Sequence, residues 1–233
     1  MRRLLSLAIV QEIWYLVAFL NQKICDQLMK RLIIHSVNPQ NRLILQTVEA
    51  LNYGHLIIFP TDTVYALGCD LFNNKAIEKI YRLKGISKKM RLSFICPDLR
   101  DIARYAYVST PAYKIMRHLL PGPYTFILPA SRLVPKILLE KKRTVGIRVP
   151  ADETCQMLLA EFGKPIISTS ARLQEQELLN DPELIAELFD HYVEVFLDAG
   201  FGGLEPSTII DLTADEPVII REGKGVAEAA LGL

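Results

Sequence analysis

Short apolar runs alternate with helical patterns along most of this 233-residue chain. The run HLIIF at 55–59, for example, stops at a proline, and its length is that of a buried strand. Between such runs, apolar residues recur three and four positions apart, which predicts helices packed on a core. The alternation predicts an α/β domain with a mixed, twisted sheet and flanking helices.

Turn and capping residues mark where these elements begin and end. Gly54 is predicted as the residue that follows one helix, and Asp181 with Pro182 as the start of another. The predicted helices span 41–53, 73–83, 111–120, 154–162 and 182–189. The predicted strands span 31–35, 55–59, 91–96, 124–128, 144–149, 166–167, 192–197, 207–212 and 217–221.

The composition permits a core without covalent or metal cross-links. Half of the residues are apolar and 23% are charged, and a chain of this length buries enough surface to fold without disulfides. The four cysteines and four histidines are scattered without the spacing of a metal site, so no protein metal site is predicted. Isolated cysteines fit reduced thiols in the cytosol, and we predict a cytoplasmic protein.

Residues 4–20, which follow Met1, Arg2 and Arg3, are strongly apolar and need a separate explanation. Gln11 and Glu12 interrupt the run, which argues against a signal peptide, and a membrane span needs about 20 predominantly apolar residues. A peripheral amphipathic helix and a cleaved signal peptide stay open, as does translation from Met29, which the strand pattern after it favours. We divide the chain into a hydrophobic extension at 1–28, not expected to insert stably into a membrane, and a domain at 29–233.

Charged residues are concentrated in two stretches of opposite sign. Between 173 and 216 there are twelve acidic residues and no Lys or Arg, a pattern typical of solvated helix faces. Between 79 and 91 there are six basic residues and no acidic one, and the surrounding residues indicate a site there.

A cluster of polar residues follows the strand at 55–59. Thr61, Asp62 and Thr63 lie where α/β folds bind ligands, beyond the end of a strand. Burying two hydroxyls and a carboxylate is costly without partners. A small polar ligand would supply those partners, and so would a local turn that caps the next element.

Further charged and hydroxyl groups lie beside apolar segments. Lys84, at the end of a predicted helix, offers a point charge to a phosphate or caps that helix. Arg148 lies inside an apolar strand, and a buried guanidinium needs an anion, either a bound carboxylate or an Asp or Glu of the chain. Three hydroxyls at 168–170 can bind phosphate or carboxylate oxygens, or form a local turn.

These segments together resemble a known family. PTDTVYALGCD, the lysine of the KG step, PGPYTFILP, TVGIRVP, STSA, PSTIIDLT and IREG occur in an order similar to the YrdC-like family, the domain of L-threonylcarbamoyladenylate synthases. The resemblance covers roughly residues 30–225, and KGISKKMRLSFIC brings it nearest to the YciO branch. It implies a twisted mixed sheet with flanking helices and a basic concave cavity, formed by residues 29–233.

The resemblance also implies an activity and its site. Synthases of this family join L-threonine, bicarbonate and ATP, carried with Mg²⁺, into threonylcarbamoyl-AMP and pyrophosphate, for the t6A modification of tRNA alongside other proteins of that pathway. No catalytic residue is implied, and positioning with charge stabilisation would drive the reaction. Carried over by motif, threonine would contact Thr63, Arg148 and Ser170. The nucleotide would contact Lys84, Thr125, Ser168, Ser207 and Arg221.

Two positions depart from the synthase pattern. Ile86 stands at the arginine of the KxR step, and Arg172 stands at the asparagine of the SAN step. Losing a charged hydrogen bond to a phosphate costs roughly 1.5–3 kcal/mol. Both changes are therefore expected to affect synthase activity. They leave open a diverged enzyme that hydrolyses threonylcarbamoyl-AMP.

A second class of function is a module that binds double-stranded RNA or tRNA without synthase activity. Basic residues at 79–91 and 141–143 would form a groove for phosphates, and binding through them would weaken steeply with salt. The RNA-binding candidates are Lys88, Lys89, Arg91, Lys141, Lys142 and Arg143.

Overall fold

The computed structural model describes residues 29–85, 92–139, 141–173 and 177–226. Within these residues, helices and strands alternate as the sequence predicts. The α-helices are α1 (Asn41–Asn52), α2 (Asn74–Leu83), α3 (Leu99–Tyr105), α4 (Thr110–Leu119), α5 (Glu153–Phe162) and α6 (Pro182–Phe189). The strands are β1 (Lys30–Ile33), β2 (Ile57–Phe59), β3 (Ala66–Asp70), β4 (Ser93–Ile95), β5 (Tyr124–Pro129), β6 (Thr144–Arg148), β7 (Ile166–Ser170), β8 (Val195–Asp198), β9 (Thr208–Asp211) and β10 (Val218–Arg221).

The ten strands of the described residues form one mixed sheet. Their order across the sheet is β1-β8-β2-β3-β7-β4-β6-β5-β9-β10. The pairs β1/β8, β8/β2, β4/β6 and β5/β9 are parallel, and the remaining neighbours are antiparallel. The predicted fold class, a twisted α/β sheet with flanking helices, is therefore confirmed.

Local capping explains where several helices begin. Asn73, Asp98, Ser109, Asp152 and Asp181 each accept a backbone N–H of the following helix through the side chain. Such caps stabilise a helix by roughly 0.5–2 kcal/mol each. The predicted start at Asp181 is confirmed by this contact.

Strand pleating divides the apolar residues between two cores. Ile58 points into a large core with α2, α3, α4 and α6. Its neighbours Ile57 and Phe59 point the other way, into a smaller core with α1 and α5. These two helices cover only part of their face of the sheet. The uncovered part, over β7, β4, β6, β5 and β9, is where polar side chains collect.

Some elements were not predicted from the sequence. Strand β3 has every residue buried and no polar alternation, and helix α3 buries only Ile102 and Tyr105, so neither gave a periodic pattern. A 3₁₀ helix at Lys136–Leu138 was also missed. Strand β7 continues through the three hydroxyls at 168–170, so these do not form the alternative local turn.

Several predictions concern residues outside the described ranges. The extension at 1–28, Ile86, Lys88, Lys89 and Arg91 all lie there. Within the described ranges, no helix combines the length and apolar character needed to cross a membrane. Three of the four cysteines, Cys69, Cys96 and Cys155, are free and buried there.

Candidate functional site

A cavity of about 500 Å³ opens on the face of the sheet that α1 and α5 leave uncovered. Its floor includes Ser93, Thr125, Gly146 and Ser168, which come from four different strands. Gly146 keeps this floor open, because a Cβ there would lie 3.2 Å from the side chain of Ser93. All eight residues predicted to bind threonine or nucleotide line this one cavity: Thr63, Lys84, Thr125, Arg148, Ser168, Ser170, Ser207 and Arg221.

Thr61, Thr63 and Arg148 line one part of the cavity, and Asp62 contacts Arg148 without lining the cavity itself; we call these four residues the paired wall. The buried Arg148 guanidinium donates to Thr63 Oγ1 at 2.8 Å and forms an ion pair with the Asp62 carboxylate. The sequence predicted that Arg148 pairs either with a bound carboxylate or with an Asp or Glu of the chain. In the structure its partner is a residue of the chain, Asp62. The charge of this guanidinium is balanced before any ligand binds.

A local turn holds the two threonines of the paired wall. Thr61 Oγ1 accepts the backbone N–H of Thr63 at 3.1 Å and donates to the carbonyl of Val64 at 2.7 Å. The two threonine hydroxyls are 3.0 Å apart. The local turn that the sequence analysis gave as the alternative to ligand binding at 61–63 is therefore present. This turn holds the Thr63 side chain against Arg148 at the cavity.

A glycine-rich segment after β8 packs behind the paired wall. A Cβ on Gly203 would lie 1.9 Å from the carbonyl oxygen of Thr63, so only glycine fits this approach. Tyr65 fixes the same segment, since its hydroxyl donates to Gly200 O at 2.7 Å and accepts from Ala199 N at 2.9 Å. Burial raises the pKa of Tyr65 to about 12, so the phenol stays protonated. Sequence reasoning missed these residues, and the GFGG run was their available signal.

A second part of the lining, which we call the positive wall, consists of Lys84, Arg172, Ser207 and Arg221. Arg221 donates to the Ser207 carbonyl at 2.7 Å, and the Ser207 hydroxyl lies 2.8 Å from Thr125 Oγ1. Burial, followed by repulsion from Arg172 and Arg148, lowers the pKa of Arg221. From the sequence, Arg172 is a departure from the family pattern whose charge could replace part of what the two altered positions lose, and in the structure it lines the cavity.

Lys84 is the C-cap residue of α2. Of the two roles considered from the sequence, a phosphate contact and a helix cap, this position agrees with the second. Its side chain reaches away from the helix and donates to the carbonyls of Ser170 at 2.7 Å and Arg172 at 3.1 Å. Lys84 is 5% exposed, and burial, with Arg172 second, lowers its pKa to about 8. The ammonium therefore contacts the backbone that follows β7.

The lining carries an excess of positive charge. Four cations line the cavity, and no Asp or Glu is among the described residues that do so. Of these four cations, Arg148 alone has a carboxylate partner among the residues that the structure describes. The remaining positive charge is suited to an anionic ligand, and the surrounding hydroxyls can donate to its oxygens.

The donor set also bears on the expected Mg²⁺. Within the described residues there is no group of three or more His, Cys, Asp or Glu that would hold a metal ion. A lining of hydroxyls and cations fits Mg²⁺ that arrives on the phosphates of a nucleotide, with water completing its shell. No side chain of the cavity is assigned to it.

The C-terminal end of the described chain closes the site from one side. Lys224 Nζ donates to the carbonyl of Asp62 at 2.6 Å, and Lys224 N donates to Pro206 O at 2.9 Å. Gly223 allows this course, because a Cβ there would lie 2.2 Å from Pro206 O. The segment therefore ties the paired wall to the positive wall.

The basic residues at 141–143 lie elsewhere. Lys141, Lys142 and Arg143 are exposed. Arg143 lines a second cavity of about 430 Å³ together with Tyr107, Ala130, Arg132, Val134 and Lys136. The structure does not bring these cations into the first cavity.

Comparisons with known proteins agree with this architecture. The family model Sua5_yciO_yrdC, described as "Telomere recombination", matches residues 49–223. "Uncharacterized protein YciO" of Escherichia coli K12 is 41% identical over 194 residues, covering 82% of this chain and 94% of that protein. "Threonylcarbamoyl-AMP synthase" of Vibrio vulnificus YJ016 is 30% identical over 182 residues, covering 76% of this chain and 97% of that protein.

Solved structures of two members of this family superpose on the chain. The crystal structure of E. coli YciO superposes with a TM-score of 0.84 at 40% identity, covering 87% of this chain and all of that one. The structure of Pyrococcus abyssi Sua5 complexed with L-threonine superposes with a TM-score of 0.79 at 28% identity, covering 84% of this chain and 58% of that one. The chain belongs to the Sua5/YciO/YrdC family.

Proposed function

We propose that this protein binds L-threonine, bicarbonate and Mg·ATP in the 500 Å³ cavity and forms threonylcarbamoyl-AMP and pyrophosphate. One observation carries the proposal: cations that have no carboxylate partner among the described residues line the same cavity as preorganised hydroxyls. The first suits the phosphates of a nucleotide, and the second suits a small polar amino acid.

The chemistry asks the residues for positioning and charge rather than for a nucleophile. The amino group of threonine takes up the carbon of bicarbonate with loss of water, and an oxygen of the resulting carbamate attacks the α-phosphorus of ATP. The bond from that phosphorus to the bridging oxygen breaks, and pyrophosphate leaves. Thr63 and Ser170 would orient threonine, with Arg148 behind Thr63, while Arg172 and Arg221 would stabilise charge on the phosphates.

Relatives support this assignment. A curated relative of matching length is named a threonylcarbamoyl-AMP synthase, and the Sua5 structure contains L-threonine. In this chain, Thr63, Arg148 and Ser170 line one cavity together with the residues assigned to the nucleotide.

The test is to incubate the purified protein with ATP, Mg²⁺, threonine and labelled bicarbonate. We expect pyrophosphate release and threonylcarbamoyl-AMP by mass spectrometry, both dependent on threonine. The variant Arg221→Gln should lose most of this activity, whereas Arg42→Gln, at an exposed position of α1, should keep it. Absence of product with the native protein would contradict the proposal. Release of AMP from added threonylcarbamoyl-AMP would then favour the hydrolase.

A second candidate function, RNA binding, is favoured by the second cavity. Among the described residues, none forms an ion pair with Arg132, Lys136, Lys141, Lys142 or Arg143. Exposed cations without counter-charges suit a phosphate backbone, and the exposed ring of Tyr107 lies beside them.

Binding of tRNA and of an RNA duplex, measured by fluorescence anisotropy between 50 and 200 mM salt, tests this function. If RNA binds here, the triple variant Lys141→Gln, Lys142→Gln, Arg143→Gln weakens binding by about tenfold or more and flattens the salt dependence. The matched control, Lys30→Gln, Arg42→Gln, Lys75→Gln, also removes three exposed charges. If both triple variants lose RNA affinity equally, the loss is explained by net charge alone, and this outcome would count against a specific RNA site at 141–143.

A further inference from the structure

The hydrogen-bonding capacity of Lys84 is largely committed within the protein. An ammonium has three N–H donors, and two of those of Lys84 go to the carbonyls of Ser170 and Arg172. A third backbone contact tightens the same turn, as Arg172 N donates to Ser170 O at 2.8 Å. Lys84 thus holds the backbone that leads from β7 to Arg172.

Loss of the charge on Lys84 would weaken its two hydrogen bonds but would not remove them. A neutral amine still has two N–H donors, which is the number that the two carbonyls accept. The bracing of the turn therefore survives loss of the charge, whereas a phosphate contact through Lys84 would not.

Arg172 is in the opposite situation. Its side chain lines the cavity, and within the described part of the chain no residue forms a hydrogen bond or ion pair with its guanidinium. It is close enough to Lys84 and Arg221 to lower the pKa of both. A guanidinium stays charged at any physiological pH and presents donors in a fork that matches two phosphate oxygens.

We infer that Arg172, rather than Lys84, is the residue that holds the phosphate chain of the nucleotide, and that Lys84 is a positioning residue for the turn that carries Arg172. The inference rests on the proposed function for the identity of the ligand. It reverses the expectation drawn from the family resemblance, in which the lysine contacts the nucleotide.

The inference has a consequence for ligand preference. AMP carries one phosphate, whereas ATP and pyrophosphate carry a chain whose charge a second cation beside Arg221 would stabilise. Arg172 should therefore determine how strongly the site prefers ATP and pyrophosphate over AMP.

The experiment is a double-mutant cycle read by calorimetric binding of AMP, ATP and pyrophosphate, without threonine or bicarbonate. Arg172→Asn should weaken ATP and pyrophosphate binding by about 10–100-fold and AMP binding by much less. Arg172→Lys should restore part of the loss, because it returns the charge but not the fork. Arg42→Asn, on the exposed surface of α1, is the matched control.

Lys84→Met supplies the other arm of the cycle. In the native background it should reduce the preference for ATP over AMP and speed amide hydrogen exchange at 170–172. In the Arg172→Asn background it should reduce the preference no further, because Lys84 acts through Arg172. A further loss of preference in that background, or an unchanged preference in Arg172→Asn alone, would overturn the inference.

These binding data are separable from the proposed function. A protein that binds ATP with an Arg172-dependent preference but makes no threonylcarbamoyl-AMP would contradict the synthase proposal and leave the inference standing. A native protein that binds neither ATP nor pyrophosphate would contradict both.

Discussion

The two walls of the cavity differ in how their charges are balanced. In the paired wall, the Arg148 guanidinium meets the Asp62 carboxylate, and both side chains are about nine-tenths buried. In the positive wall, Arg172 and Arg221 meet no carboxylate among the described residues, and burial, followed by repulsion between cations, lowers the pKa of Arg221. The first wall is part of what holds the domain together, whereas the second is left with charge that a ligand can balance. Substitutions should therefore affect stability in one wall and binding in the other.

The strongest test of this contrast is Asp62→Ala. It leaves the Arg148 guanidinium buried without its partner, which typically costs 3–5 kcal/mol of unfolding free energy. Urea denaturation followed by circular dichroism measures the loss. The double variant Asp62→Leu, Arg148→Met removes both charges and should be markedly more stable than Asp62→Ala. Equal stability of the two would show that the ion pair is not what the fold depends on.

Gly203→Ala should have the next largest effect on stability. The added methyl group would meet the carbonyl of Thr63, and such overpacking costs roughly 1–3 kcal/mol. Because Thr63 moves with it, threonine affinity should fall as well. Gly163→Ala is the control: its φ of 68° disfavours alanine, but its Cβ would meet no atom within 4 Å. Loss of threonine affinity in Gly163→Ala, measured by calorimetry, would contradict the role of contact with Thr63.

Arg221→Gln tests the positive wall. Loss of a charged hydrogen bond to phosphate should weaken ATP binding by about one to two decades. The unfolding free energy should change by less than about 1 kcal/mol, because relief of repulsion offsets the lost bond to Ser207. A loss of stability as large as that of Asp62→Ala would remove the distinction between the walls.

The smallest expected effect is a pH dependence that Lys84 introduces. Its pKa is about 8 in the folded protein, against an ordinary value of 10.5. Between these values the unfolded chain binds a proton that the folded protein does not, so the contribution of Lys84 to stability rises with pH. Denaturation of the native protein and of Lys84→Met at pH 7.5 and 9.5 should reveal a rise specific to the native lysine. Other titrating groups are common to both proteins and cancel in the difference.

The sequence predicts the composition of the site better than its contacts. Eight residues chosen from motifs lie in one cavity, because strand ends of an α/β sheet bring such segments together. Arg148 was correctly expected to need an anion, but that the anion is Asp62, 86 positions earlier, depends on the register of the sheet. The two backbone carbonyls that Lys84 contacts lie 86 and 88 positions away in the sequence, so no pattern near Lys84 predicts these hydrogen bonds.

The fold shows the same limit. Helices with strong periodicity, such as α1, were placed within a residue or two of their ends. Strand β3 was missed because a fully buried strand has no alternation of polar and apolar residues. Helix α3 was missed because it is short and buries only two side chains, Ile102 and Tyr105. In both cases tertiary burial decided the structure and the local pattern did not.

The contact between Lys224 and Asp62 has a consequence for synthesis of the chain. These residues are 162 positions apart, which at 5–20 residues per second corresponds to roughly 8–32 s of translation. The segment containing Thr61 and Thr63 thus leaves the ribosome long before Arg221 and Lys224 exist. During that interval the nascent domain must keep a polar, half-built face soluble, because the contact that joins the two walls forms only after Lys224 has been added.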